Sequence, residues 1–184
     1  MRHDLSWPRG PRLSFRPVRP GDAAYICGLR NDPAINRHLS GPAGSEGAQR
    51  DWIVAYQARE ARGQEYYFIL CHAEGGAPCG TVRIYGIEGS RFTWGSWILD
   101  AAKPPRAALE TAILLYDFAF DTLGLTEARF DVRRENLHTL AFHDRFGAAR
   151  LGEDGADIYF RLSAEDYAKL RPGLAAALCP DEAA

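Results

Sequence analysis

Three stretches near the middle of the chain carry strand patterns: Tyr66–His72, Pro78–Gly86 and Arg91–Leu99. The links between them, AEGGA and IEGS, are short and contain glycine. That combination predicts hairpin turns and an antiparallel meander. An earlier alternating stretch, Arg12–Val18, predicts a first strand. Gly21-Asp22 offers a start for a helix over AAYICGLRN. GPAGSEG reads as a loop, and a second helical pattern runs from Ser45 to about Arg62, with Trp52, Ile53 and Tyr56 on one face. Gly63 stops it.

The clearest helix runs from Arg106 to Leu123. Arg106, Glu110, Asp117 and Asp121 fall at spacings of 4, 7 and 4, one polar stripe on an otherwise apolar cylinder. The helix is therefore expected to be largely buried. Gly124 ends it as a C′ glycine does. Glu127–Arg133 is the next strand, so strand, helix and strand make a βαβ crossover with two parallel strands. Asn136 is placed to cap a helix over LHTLAFHDRF, which Gly147 stops. AARLG and ADIYFRLS are short final strands, and AEDYAKLRPGLAAALC a C-terminal helix or tail. The fold class is α/β, with a mixed, mostly antiparallel sheet of six or seven strands and about four helices. Residues 12–162 are expected as one domain, 1–11 as a flexible arm and 163–184 as the helix or tail.

Composition narrows the chemistry. The 184 residues carry a net charge of −2 with a pI of about 6.2, which argues against nucleic acid as a partner. No apolar run of ~20 residues predicts a membrane span, and the N-terminus lacks an apolar signal region. Cys27, Cys71, Cys79 and Cys179 are widely spread, with no C-x-x-C, and read as reduced thiols of a cytoplasmic protein. No metal is expected. His138 and His143, five residues apart on a helix, sit about 140° around the axis from each other. The chain also lacks the glycine fingerprint of a dinucleotide fold and the nucleophile elbow of a hydrolase.

The loop Ala101–Arg106 joins the end of a strand to the start of a helix. The first turn there has unpaired N–H groups and a partial positive charge, which suits an anion. The sequence reads Lys103-Pro104-Pro105-Arg106-Ala107-Ala108. Further on it reads Asn136-Leu137-His138-Thr139-Leu140-Ala141-Phe142-His143-Asp144-Arg145-Phe146-Gly147-Ala148. In these two segments and in element order over Leu13–Leu162, the chain resembles the GNAT superfamily of acetyl-CoA-dependent N-acetyltransferases. The first segment resembles the pyrophosphate loop [QR]-x-x-G-x-[GA], with Lys103 keeping the charge, Ala108 fitting and Arg106 replacing the central glycine. The second resembles N-x-x-[AS]-x-x-[FL]-Y-x-[KR]-x-G-[FA], with His143 at the tyrosine position.

The resemblance implies an enzyme that transfers acetyl from acetyl-CoA to a primary amine. It implies coenzyme contacts from Lys103, Arg106, Ala107, Ala108, Leu109, Asn136 and Phe142, and backbone amides of Trp97, Ile98 and Leu99 polarising the thioester oxygen. His143 stands where the family has an acid for the departing thiolate, and an imidazole of ordinary pKa, ~6.5, serves that role when protonated. Asp100 and Asp131 are the candidate bases. Trp94, with Trp97, is a candidate surface for stacking on substrate. The acceptor is a small-molecule or peptide amine, contacted from loops such as Asn36–Ser45 and Ile87–Arg91. The branch resembled acts on amino sugars of surface glycans. A neighbouring branch acts on protein N-termini, and a non-catalytic acyl-CoA-binding module on the same fold is a third reading. Homodimerisation is left open.

Overall fold

The computed structural model describes residues 5–33, 35 and 44–178. Seven strands form one sheet: β1 (Leu13–Pro17), β2 (Tyr66–His72), β3 (Pro78–Glu88), β4 (Arg91–Leu99), β5 (Glu127–Arg133), β6 (Ala149–Glu153) and β7 (Asp157–Ser163). Their order is β1-β2-β3-β4-β5-β7-β6. Every neighbouring pair is antiparallel except β4 and β5, which are parallel. Five α-helices are present among the described residues: α1 (Ala23–Asn31), α2 (Glu46–Ala61), α3 (Ala107–Asp117), α4 (Leu137–Phe146) and α5 (Ala164–Leu178). The meander and the crossover stand where the pattern predicts them. His3, His38, Cys179 and most of Asn36–Ser45 lie outside the described residues.

The sheet has two unequal covers. One face packs the large core, with Phe15, Phe68, Ile84, Trp94 and Phe130 meeting α3, α4 and α5. The other face, over β1 and β2, packs Val18, Tyr67, Ile69 and Cys71 against Ile26 of α1 and Ile53 and Tyr56 of α2. This explains β2, in which Tyr66 to Cys71 are all buried. A strand covered on both faces reads as a continuous apolar run.

The crossover helix departs from the expected span. After Asp117 it widens into a π-helical turn over Phe118–Thr122, closed by Leu123 N–H donating to Phe118 O at 3.0 Å. Phe118, Ala119 and Phe120 are all buried in this turn.

The polar stripe of this helix is an anchor line more than a solvated edge. Glu110 is fully buried, and its Oε1 accepts from the N–H groups of Arg12 and Leu13, both at 2.9 Å. Asp117 accepts from the Tyr167 hydroxyl at 2.6 Å and from the Arg171 guanidinium at 2.9 Å, tying α3 to α5. Part of the stretch expected as a flexible arm is docked here. Trp7 packs edge-on against Phe68 at 5.7 Å, and Phe15 N–H donates to Pro8 O at 2.8 Å. A Cβ on Gly10 would collide with Glu110 Oε1, so only glycine lets the chain pass this close.

Glu110→Ala strands two backbone N–H groups at the start of β1. Each orphaned donor costs about 1–3 kcal/mol, so chemical denaturation should show a loss of roughly 2–6 kcal/mol. Proteolysis at the N-terminal stretch should accelerate in parallel.

Candidate active site

β4 and β5 are paired only at one end, Arg91 with Glu127 and Phe92 with Ala128. Beyond Phe92 the two strands part, and a cleft of about 590 Å³ opens between them. One end reaches Lys103, Ala108, Asn136 and Thr139 at the starts of α3 and α4. Asp131 and Arg133, on the face of β5 opposite Phe130 and Val132, line the cleft together with Arg30 and Tyr85. A second hollow of about 710 Å³ lies between the N-terminal stretch, the end of α3 and α5. It gathers none of the candidate residues.

A bulge in β4 shapes the cleft wall. The register slips between Thr81–Ile98 and Arg83–Gly95, and Ser96 sits at φ 46°, a left-handed value unusual for serine. The Thr81 hydroxyl holds the Ser96 carbonyl at 2.8 Å. In a regular strand, residues three apart face opposite sides. The extra residue cancels that alternation, so Trp94 and Trp97 share a face, with ring centroids 5.3 Å apart. Past the bulge, Asp100 N–H donates to Cys79 O at 3.0 Å. By strand alternation the N–H groups of Trp97 and Leu99 then point away from β3, toward the edge β5 has left.

The cleft floor is aromatic. His143 is 3% exposed and lies among Trp94, Phe130, Phe142 and Phe160, with centroids 4.5–5.5 Å away. Its Nδ1 and the Trp97 Nε1 are buried without a partner among the described residues. Buried polar atoms of a folded protein are ordinarily paired, so two orphans on one cleft wall fit a ligand that brings acceptors. Burial lowers the His143 pKa to about 4. This overturns the expectation of an ordinary imidazole: at neutral pH the ring carries no charge to give away as a proton.

The other candidates divide. Trp97, Ile98, Leu99, Lys103, Ala108, Asp131 and Asn136 line the cleft together. Asn136 caps α4 through Oδ1, which accepts from Thr139 N–H at 3.2 Å. Phe142 backs Trp97 at 5.1 Å. Trp94 is 4% exposed, and its indole N–H donates to the Tyr116 hydroxyl at 2.9 Å. It forms floor, and an open stacking surface for substrate is not available there. Asp100 is not placed as a base, because its carboxylate accepts from the Tyr25 hydroxyl at 2.7 Å and from Ala102 N–H at 2.8 Å. Asp131 is the candidate base that faces the cleft. Partial burial and the nearby Asp157 hold its carboxyl above the usual range, with Arg133 opposing.

Arg106 turns its side chain aside and donates to Leu178 O at 2.9 Å. Its backbone is left-handed at φ 61°, the conformation that glycine at this position adopts freely. Ala107 N–H is closed onto Pro104 O at 3.2 Å, whereas the N–H groups of Ala108 and Leu109 meet no acceptor among the described residues. The helix start thus keeps two free donors, an arrangement that fits a phosphate group.

Sequence reasoning missed Arg30, Tyr85 and Arg133. Tyr85 lies over Gly95, where a Cβ would come within 3.2 Å of its hydroxyl. On its outer side Tyr85 carries the Arg83 guanidinium at 4.7 Å, which also stacks on Trp52 at 4.9 Å. Only the glycine in FTWGSWIL hinted at a close approach.

The acetyltransferase (GNAT) domain family matches residues 12–149. The chain belongs to the GNAT acetyltransferase family. Among solved structures it is similar to apo FdhC, described as a nucleotide-linked sugar GNAT, at 35% identity and TM-score 0.86, over 94% of this chain and 98% of that one. A GNAT-family acetyltransferase from Bacillus anthracis shares the fold at 14% identity and TM-score 0.73, over 87% of this chain and 99% of that one. A ribosomal-protein-S5-alanine acetyltransferase from Vibrio fischeri does so at 14% and 0.75, over 89% and 99%. A search of curated proteins finds no match. GNAT domains use acetyl-CoA as co-substrate, and the free donors at the α3 start and along β4 suit it.

Two outcomes follow from this geometry. A left-handed arginine is strained by ~1–2 kcal/mol relative to glycine. Arg106→Ala keeps that strain and loses the bond to Leu178, so Arg106→Gly should be the more stable variant by about 1 kcal/mol in urea denaturation. For His143, the unfolded chain takes up a proton below ~6.5, while the folded ring stays neutral down to about 4. Its contribution is complete above the unfolded value and is lost as pH falls through the window between the two. That window is worth about 3 kcal/mol. His143→Phe should remove this part of the acid sensitivity, read as the difference between wild-type and variant denaturation at pH 7.5 and 4.5.

Proposed function

We propose that this protein transfers the acetyl group of acetyl-CoA to the primary amine of an amino sugar carried on a nucleotide. The observation that carries the reading is the charge pattern at the acceptor end of the cleft. There Arg30 and Arg133 line the cleft with Asp131, and the Arg133 guanidinium also reaches Asp157 Oδ2 at 3.4 Å. An amino sugar on a nucleoside diphosphate brings an ammonium for the carboxylate and phosphates for the guanidiniums. A peptide N-terminus brings the ammonium alone. The likeness to FdhC, itself described as a nucleotide-linked sugar GNAT, supports the same reading.

The residues then have separate tasks. Asp131 receives the ammonium and takes a proton from it, leaving a neutral amine that can attack. Its raised pKa makes it a better base than an ordinary surface carboxylate. Bound acetyl-CoA would supply the electrophilic thioester carbonyl: as the amine nitrogen bonds to it the carbon–sulfur bond breaks, and the thiolate leaves as coenzyme A with the second proton of that nitrogen. The N–H groups of Trp97 and Leu99 are the donors for that oxygen. Ala108 and Leu109 N–H, with Lys103, hold the phosphates of the coenzyme. His143, neutral, keeps the floor of the cleft dry and offers a hydrogen bond instead of a proton.

Steady-state kinetics on a panel of acceptors tests this: a nucleoside-diphosphate amino sugar, the free amino sugar and an alanine-first peptide. The first should be acetylated with the lowest KM. Arg133→Ala should raise KM for it about tenfold, a loss of ~1.4 kcal/mol, and leave KM for the free sugar unchanged. Asp131→Asn should lower kcat by roughly 10²–10⁴-fold. In wild type, kcat/KM should rise with pH through a limb set above the ordinary carboxylate range, and this limb should vanish in Asp131→Asn. Preferred turnover of the peptide would support the N-terminal reading, and coenzyme binding without turnover of any amine the non-catalytic one.

A further inference from the structure

The coenzyme loop Asp100–Arg106 has no glycine, contains two prolines and includes one left-handed arginine. Its shape is held by contacts with three other elements. At its start the Tyr25 hydroxyl of α1 donates to Asp100 Oδ2 at 2.7 Å, while Asp100 Oδ1 accepts from Ala102 N–H at 2.8 Å. In its middle His72 Nε2 of β2 pairs with Ala102 O at 2.8 Å. At its end Arg106 reaches Leu178 O on α5. Lys103 N–H closes the turn onto Asp100 O at 3.3 Å. Asp100 is the residue on which three of these contacts converge, and among the described residues Tyr25 is the side chain outside the loop that holds it.

We propose that Tyr25 is a positioning residue for acetyl-CoA: its bond to Asp100 sets the loop in the shape that presents Lys103 and the free N–H groups of α3 to the coenzyme phosphates. The proposal rests on the acetyl-CoA reading of the cleft. Burial and Asp100 hold the Tyr25 phenol well above its usual pKa, so it stays a donor throughout the working range. Tyr25 also packs on the cluster of Ile26, Ile53 and Tyr67, which fixes the ring from behind. The same helix carries Arg30 five residues on, about 7.5 Å along the axis. One rigid element therefore touches the coenzyme loop and the acceptor end of the cleft, and Tyr25 is its contact with the loop.

The test uses the full chain and coenzyme A alone as titrant. Tyr25→Phe removes one oxygen and leaves the ring packed. It should weaken coenzyme A by about 5–20-fold, with the melting temperature of the free protein within 2–3 °C of wild type, since one part-buried hydrogen bond contributes ~1 kcal/mol. KM for acetyl-CoA should rise while KM for the acceptor stays put. Asp100→Ala approaches the same bond from the other side and should lose at least as much affinity. The double variant Tyr25→Phe/Asp100→Ala should be no weaker than Asp100→Ala, as expected of residues acting through one bond. Asp100→Asn keeps an acceptor for Ala102 N–H and an amide that can pair with the phenol oxygen, so it should restore most of the affinity. An unchanged dissociation constant in Tyr25→Phe, or fully additive losses in the double variant, would overturn the proposal. If wild type itself fails to bind coenzyme A, the acetyl-CoA reading falls first, and the two failures are told apart by that control.

Discussion

The whole site depends on two parallel strands that stop being parallel. β4 and β5 share backbone bonds only at Arg91–Phe92 and Glu127–Ala128. A sheet that opens in this way exposes N–H and C=O groups that ordinarily pair. The aromatic wedge of Trp94, Trp97, Phe130 and His143 fills the gap on the helix side and keeps the strands apart. The core therefore stabilises an open edge that the sheet by itself would close. The cleft, its free donors and the dry floor all follow from that single divergence.

Around the opening, helix ends supply the chemistry. α3 and α4 both begin at the cleft, so two partial positive charges converge there, and α3 keeps the N–H groups of Ala108 and Leu109 without an acceptor among the described residues. Neither helix is free to drift. Glu110 and Asp117 lock α3 to β1 and to α5, and Asn136 seals the start of α4. Rigid placement of weak donors is how a fold obtains anion affinity without a cluster of lysines.

Much of this was legible in the sequence because periodicity is a local property. The residues of β4 and β5 show their span directly, and the apolar cylinder after Arg106 announces a buried crossover helix. The site was legible in part. Lys103, Ala108 and Asn136 stand at helix starts, and helix starts can be read from caps and turns. Three things were hidden. Ser96 carries no mark of a bulge, so the reason Trp94 and Trp97 share a face is not readable from alternation. Asp100 reads as a free carboxylate because its partner, Tyr25, lies 75 residues away. His143 reads as an ordinary imidazole because its pKa is set by rings from β4, β5 and β7 that no local window contains.

The shared face of Trp94 and Trp97 has an optical consequence. Of the four tryptophans, these two form part of the wall or floor of the cleft, while Trp7 and Trp52 pack elsewhere, against Phe68 and Tyr56. The unpaired indole N–H of Trp97 senses whatever acceptor enters beside it. Indole emission shifts with hydrogen bonding and local polarity, and a neutral imidazole next to it quenches less than a charged one. The protein thus carries a built-in fluorophore in the wall of this cleft, and occupancy can be followed by intrinsic emission without a label.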